Sequence, residues 1–373
     1  MLSVSEPCLG PEEKAALIEV IDSGWITMGD KVRQFEQAFA AMHGADDSIA
    51  LGSCTAALHL IMLGLGLGPG DEVLVPAMTF VATANSVLYV GAKPVFVDIE
   101  SADVPLMSLD DAATKCTPNT KAVVLVHYAG YLPDREKWQA FASSRGLMLV
   151  EDAAHAAGVK EAGTFGVAAA FSFYGNKNMT TAEGGAVIAR QPGLGERIRQ
   201  ARGHGLTSGT FQRHGKAMPG YDVTMLGYNY RLDELRAALG LVQLKSLLAW
   251  NDHRRHLTSL YRTLLRQRAQ HVVVPFSAPR TTACHIMPVV LPRDSDRAAV
   301  VGALRAAGVQ TTIHYPPTHH FSYYQETFPN VSLPETEDFA RRELTLPLHP
   351  KMQDAHVDLV TRALADALSQ QGK

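Results

Sequence analysis

Six short apolar runs recur between residues 72 and 190, each closed by a polar or glycine-rich break. EVLVP at 72–76, PVFVDI at 94–99, AVVLVHY at 122–128, LMLVED at 147–152, AAFSFY at 169–174 and GAVIAR at 185–190 are nearly all apolar. Strands covered on both faces have this pattern, whereas half-exposed strands alternate. Helical patterns at 54–64, 79–89 and 135–144 separate several of the runs. The region from about 50 to 190 therefore reads as βα units around a largely parallel sheet.

From about residue 246 the pattern changes. A long amphipathic helix is predicted over 248–268, a strand in HIMPVVLP at 285–292, and a helix over 295–307 that starts at a Ser/Asp cap. VQTTIHYPP at 309–317 reads as a further strand and 354–370 as a closing helix. The expected organisation is a large α/β domain over 1–245 and a small C-terminal α+β domain over 246–373, which suits a chain of 373 residues.

Charge and composition narrow the function. A formal net charge of −3 offers no basic field for a phosphate backbone, so a small molecule is expected as partner and nucleic acid is not. Cys8, Cys54, Cys116 and Cys284 stand apart with no paired or zinc-like spacing, the pattern of reduced thiols in a cytoplasmic protein. MLSVSEPCLG lacks the basic and apolar regions of a signal peptide, and AALHLIMLGLGLG at 56–68 is too short and too interrupted to span a bilayer.

Ligands of open α/β sheets sit beyond the carboxyl ends of the strands. There the runs end in chemistry: Asp152 and His155 after LMLVED, Ser172 and Lys177 after AAFSFY, His127 and Tyr128 after AVVLVHY. Each has an ordinary reading. A lysine is usually a solvated surface cation, Asp152 is a suitable cap for the segment that follows it, and a lone histidine is more often core or surface than ligand. Together, a carboxylate and a lysine at the ends of buried strands point to a desolvated amine beside an ionised acid. GSCTAALHL at 52–60 adds a helix start able to cradle a phosphate, though it matches neither nucleotide-binding glycine motif. Lysine, buried aspartate and phosphate cradle are the parts needed for pyridoxal 5′-phosphate (PLP): an imine to the lysine, an acid for the pyridine nitrogen and a seat for the phosphate.

Six segments, in order, resemble the DegT/DnrJ/EryC1/StrS sugar aminotransferases of the fold-type I PLP enzymes. They are SGWITMGDKVRQFEQAFA at 23–40, GSCTAALHL at 52–60, GPGDEVLVPAMTFVATANSVLYVGAKPVFVDIE at 68–100, VEDAAHAAG at 150–158, FSFYGNKNMTTAEGGAV at 171–187 and YDVTMLGYNYRLDELRAALGLVQL at 221–244. The resemblance implies that Lys177 is the Schiff-base lysine, that Asp152 partners the pyridine nitrogen and that His155 lies near the phenolic oxygen. It implies that Phe80 packs on the ring face, that Thr55, Ala56 and Ser172 hold the phosphate, and that Asn229 reaches a neighbouring subunit's phosphate in a homodimer with shared sites. Relatives that remove a sugar hydroxyl carry histidine in place of the lysine, so Lys177 implies transamination. Ala182 stands where many relatives have glycine, a difference expected to be tolerated.

The implied reaction is ping-pong transfer of an amino group, by analogy from L-glutamate, to a nucleotide-diphosphate-linked keto-sugar. Two alternatives are a free cyclic ketone of the inosose type as acceptor and a non-catalytic PLP-binding regulator. The histidines of HYPPTHH at 314–320 surround a Pro-Pro loop and the family uses no metal, so that loop is expected to rim the substrate entrance rather than hold an ion. Sugar selectivity is expected from loops at 23–30, 203–222 and 314–324.

Overall fold

Apolar runs buried on both faces leave their backbone groups no partner except neighbouring strands. In the computed structural model, which describes residues 1–207 and 220–371, they assemble accordingly. Strands β1 (Ile49–Leu51), β2 (Glu72–Pro76), β3 (Lys93–Val97), β4 (Thr120–Val126), β5 (Met148–Asp152), β6 (Ala168–Ser172) and β7 (Gly185–Ala189) form a seven-stranded sheet in the order β1-β7-β6-β5-β4-β2-β3. β3, β2, β4, β5 and β6 run parallel, while β7 is antiparallel to both β6 and β1. The expected mostly parallel α/β architecture is present. Residues 208–219, within the expected selectivity loop at 203–222, lie outside the described residues.

Alternate residues of each strand enter different cores, as the two-residue period of a strand requires. Leu74, Val123, Leu125, Leu149, Ala169 and Phe171 face one side, together with Phe35 and Phe39 of α2 and Trp138 and Phe141 of α6. Val73, Val75, Ala122, Val124, Val150 and Ala170 face the other, covered by α3, α4 and α7. The helices concerned are α1 (Pro11–Ser23), α2 (Asp30–Met42), α3 (Cys54–Gly64), α4 (Ala82–Tyr89), α5 (Leu109–Lys115), α6 (Arg135–Arg145) and α7 (Leu194–Ala201). A third core belongs to the C-terminal region, where β8 (Met287–Val290) pairs antiparallel with β9 (Glu343–Leu346) beside the closing helix Asp354–Ser369.

Two elements differ from the sequence pattern. The helix predicted over 248–268 begins at Glu234 and runs unbroken for 35 residues to Arg268, through the position expected to divide the domains. Its buried face continues without a break across that position, from Ala237, Ala238, Leu239, Leu244 and Leu247 to Leu257, Tyr261 and Leu265, with Gln243, Asn251, Arg254 and Thr258 as polar anchors among them. The strand expected at 309–317 makes only isolated bridges, Val309 to Leu2 and Thr312 to Thr345, before Pro316 and Pro317, which have no N–H to donate. No helix among the described residues is long and apolar enough to cross a membrane.

The glycine pair after Glu183 has a packing reason. A Cβ on Gly185 would lie 2.5 Å from the backbone of Ser53 and Cys54, so only glycine lets β7 pass this close to the start of α3. Ala182, three residues earlier, has φ of 68°, a left-handed conformation that costs a non-glycine residue about 1–2 kcal/mol. Its N–H is held by the Thr180 hydroxyl at 2.9 Å. Gly185→Ala is expected to destabilise the protein by about 1–3 kcal/mol through overpacking, read as a lower denaturant midpoint; an unchanged midpoint would show that α3 gives way freely.

Candidate active site

A parallel sheet delivers the residues that follow its strands to one edge. The segments after β2, β5 and β6, together with the start of α3, surround a cavity of about 540 Å³ there. Its lining includes Ser53, Cys54 and Thr55, Thr79 and Phe80, Asp152 and His155, and Ser172 and Lys177, with Ile313, His314 and Tyr315 closing it from the C-terminal region. Lys177, Asp152, His155, Phe80, Thr55 and Ser172 are therefore brought together. Two predicted residues are not in the lining. Ala56 lies one residue deeper in α3, its N–H on the Ser53 hydroxyl at 3.1 Å, and Asn229 is solvent-exposed in a bridge to Gly203.

Asp152 is buried at the end of β5. Burial pushes its carboxyl up, while two donors pull it back toward the ionised form: the Thr83 hydroxyl on Oδ2 at 2.7 Å and the Ala154 N–H on Oδ1 at 3.2 Å. The charge of Lys177 acts in the same direction. Lys177 itself is half-buried and opens onto the cavity. Loss of water pulls its amine down from 10.5 to about 8, against the opposing influence of Cys54 and Asp152. A neutral amine is thereby within reach at ordinary pH, which a solvated lysine does not offer.

The lysine loop is held from beneath. Asn178 donates through Nδ2 to Asn251 Oδ1 at 2.7 Å and to the Ala283 carbonyl at 2.9 Å, and Thr180 N–H donates to Gln243 Oε1. The residues flanking Lys177 thus key its loop to the long helix. His155 accepts the Ala129 N–H on Nδ1 at 3.2 Å, so its proton sits on Nε2 and points to the Tyr315 hydroxyl, 2.9 Å away. Burial keeps the ring neutral. Phe80 stands at the cavity with 59% of its surface exposed, its ring 6.1 Å from that of Tyr315.

The residues present fit PLP. The missing Cβ of Gly185 leaves the start of α3 open to approach, the Ser53 side chain caps that helix, and Thr55 and Ser172 present hydroxyls to the same cavity. A phosphate suits such a helix start. A buried acid and a half-buried amine line the same space. His319 and His320 instead gather on Glu337, at 3.2 and 3.8 Å, and neither is in the cavity lining.

Some of this constellation escaped sequence reasoning. Thr83 was hidden inside a helical apolar pattern, Tyr315 in a predicted strand, and Asn178 beside a more conspicuous lysine. The one available signal was two hydroxyls, Thr79 and Thr83, four residues apart at a helix entrance.

The family model described as the DegT/DnrJ/EryC1/StrS aminotransferase family matches residues 7–365. The fold is similar to that of Helicobacter pylori PseC, an aminotransferase involved in the biosynthesis of pseudoaminic acid, with a TM-score of 0.92, 28% identity and 99% of each chain covered. The aminotransferase TlmJ from Streptoalloteichus hindustanus is 34% identical over 100% of both chains, with a TM-score of 0.91. Spr1654 from Streptococcus pneumoniae, a proposed sugar aminotransferase solved in its PMP form, gives a TM-score of 0.92 at 27% identity over 99% of each chain.

The lowered amine pKa has a measurable sign in cofactor-free protein. Between about 8 and 10.5 the unfolded chain holds a proton on Lys177 that the folded chain has released, so folding stability rises with pH across that window. Lys177→Met removes this term. The variant is expected to be more stable than wild type below pH 8 and to lose that advantage by pH 10.5, measured as urea midpoints; an advantage independent of pH would exclude a depressed amine.

Proposed function

The chain belongs to the DegT/DnrJ/EryC1/StrS aminotransferase family, and from that premise we propose that it uses PLP to move an amino group from L-glutamate to a nucleotide-diphosphate-linked keto-sugar. The observation that carries this reading is the meeting of a desolvated lysine and a buried aspartate at one cavity beside a helix start. When bound, the cofactor supplies an aldehyde that takes up the amino group and a ring that accepts electrons from the reacting carbon.

The protein's own part is positioning and proton transfer. Lys177 would hold the aldehyde and, once released, its Nζ would take a proton from the substrate carbon and return it, a task suited to an amine near pH 8. Asp152 would stabilise the protonated ring nitrogen. His155, whose Nε2–H meets the Tyr315 hydroxyl, would lie near the phenolic oxygen, and Phe80 would cover a ring face. Thr55, Ala56 and Ser172 would seat the phosphate. Ile313, His314 and Tyr315, which line the same cavity, would shield the reacting atoms from water.

The exposed position of Asn229 supports a homodimer in which each subunit completes its neighbour's phosphate seat. Val223 and Leu226 are also exposed, at 56% and 78%, in the segment leading to it. An apolar stretch beside an exposed polar residue suits an interface between two copies.

Two experiments test these statements. L-Glutamate should convert the PLP form to the PMP form at one equivalent per site, and a UDP-, dTDP- or GDP-linked keto-sugar should reverse it. Restoration by a free cyclic ketone alone would place the acceptor in the inosose class, and no response to glutamate would indicate a regulator. Lys177→Ala should slow turnover by at least about 10²–10⁴-fold. For the shared site, subunits carrying Lys177→Ala are mixed and reassociated with subunits carrying Asn229→Ala. Random pairing should recover about a quarter of wild-type activity, because half the dimers are mixed and each holds one intact site; no recovery would refute sharing.

A further inference from the structure

Asp152 makes no ion pair among the described residues, although it is buried and must carry charge to serve a protonated ring nitrogen. Its one side-chain partner is Thr83, on the first turn of α4, and Thr83 is contacted in turn by Thr79, with 2.7 Å between the two hydroxyl oxygens. Both threonines are buried. An ionised carboxylate can only accept, so the Thr83 proton must point at Asp152 Oδ2. The Thr79 proton must then point at Thr83 Oγ1. The order of donors in this chain is forced from its charged end.

A threonine in a helix normally sends its hydroxyl to the carbonyl four residues back. For Thr83 that carbonyl is Thr79 O, which receives the Thr318 hydroxyl at 3.4 Å, while Thr318 N–H is bonded to Ala77 O at 3.0 Å. The loop after β2 is thereby tied to the segment that follows His314 and Tyr315. Thr83 is free of its usual local bond and available to the carboxylate.

We propose that Thr83, oriented by Thr79, is a positioning residue that keeps the Asp152 carboxylate ionised and aimed for the cofactor ring. This rests on the reading of Asp152 as the partner of the ring nitrogen. Consecutive hydroxyls polarise one another, so the pair acts as one donor stronger than Thr83 alone. The two hydroxyls flank Phe80 across the entrance to α4, so one segment would set both the ring's face and the charge at its nitrogen.

The test uses the full-length protein stripped of cofactor and titrated with PLP by absorbance, followed by steady-state kinetics. Thr83→Val keeps the shape and removes the donor. It should weaken PLP binding and lower kcat by about ten- to a hundredfold, the range for a hydrogen bond to a charged group, with the KM for glutamate little changed. Thr83→Ser, which restores a hydroxyl, should return both to within about threefold of wild type. Thr79→Val should cost about two- to tenfold when Thr83 is present and nothing in the Thr83→Val background, because Thr79 acts only through Thr83. Wild-type behaviour of Thr83→Val, or equal effects of Thr79→Val in the two backgrounds, would overturn the proposal. Asp152→Asn separates the two levels. If it leaves binding and rate unchanged, the reading of Asp152 fails; if it impairs them while Thr83→Val does not, only the threonine relay fails.

Discussion

The site depends on keeping two opposite charges out of water without letting either discharge completely. Moving an ion into a poorly polarisable interior is costly, and an unassisted group escapes the cost by changing its protonation state. Here the acid and the amine respond differently. Asp152 has donors fixed on both oxygens, which oppose the upward pull of burial. Among the described residues the Lys177 ammonium finds no hydrogen-bond acceptor, and loss of water draws it down to about 8. That asymmetry sets a carboxyl steadied by two donors beside an amine with an exchangeable proton within a single cavity.

Such a balance tolerates little play, and the surrounding packing is arranged accordingly. The carboxylate ends a strand in the middle of the sheet, with β4 on one side and β6 on the other. Next to it in sequence, Glu151 is turned into the core, where it meets His127 Nε2 at 2.8 Å and accepts the N–H groups of Gly163 and Phe165. Adjacent acids on one strand thus serve opposite faces, one structural and one open to the ligand cavity. Buried polar groups of this kind are sustained only when their partners are complete.

Much of this was legible beforehand, for identifiable reasons. Strands buried on both sides advertise themselves as unbroken apolar runs, and the polar residue that ends each run marks the ligand edge; Asp152, Ser172 and Lys177 were found this way. Phe80 and Asn229 needed the family resemblance, as did the role of His155, whose place just after β5 had already marked it. What stayed hidden was long-range. Glu234 accepts the N–H groups of Gly29, Lys31 and Val32, capping α2 from some 200 positions away in the chain, and no local pattern announces such a cap. The first strand, three residues long, was likewise too short to register. The helix at 234–268 is cut short in the sequence pattern because a domain boundary is placed near residue 246, whereas its inner face, apolar with a few polar anchors, runs straight through that position.

That inner face has a consequence for how the protein can change. Gln243 and Asn251 grip the lysine loop, and Arg254, three residues further, donates to the carbonyls of His285 and Leu348 in the C-terminal region. The rod works like a key whose teeth are spaced by a fixed pitch. One inserted residue between the first and last tooth would turn everything downstream by about 100° and advance it 1.5 Å, lifting the later teeth from their wards. Residues around the mouth obey no such count, so the rim can be lengthened or shortened where the interval from 243 to 254 cannot.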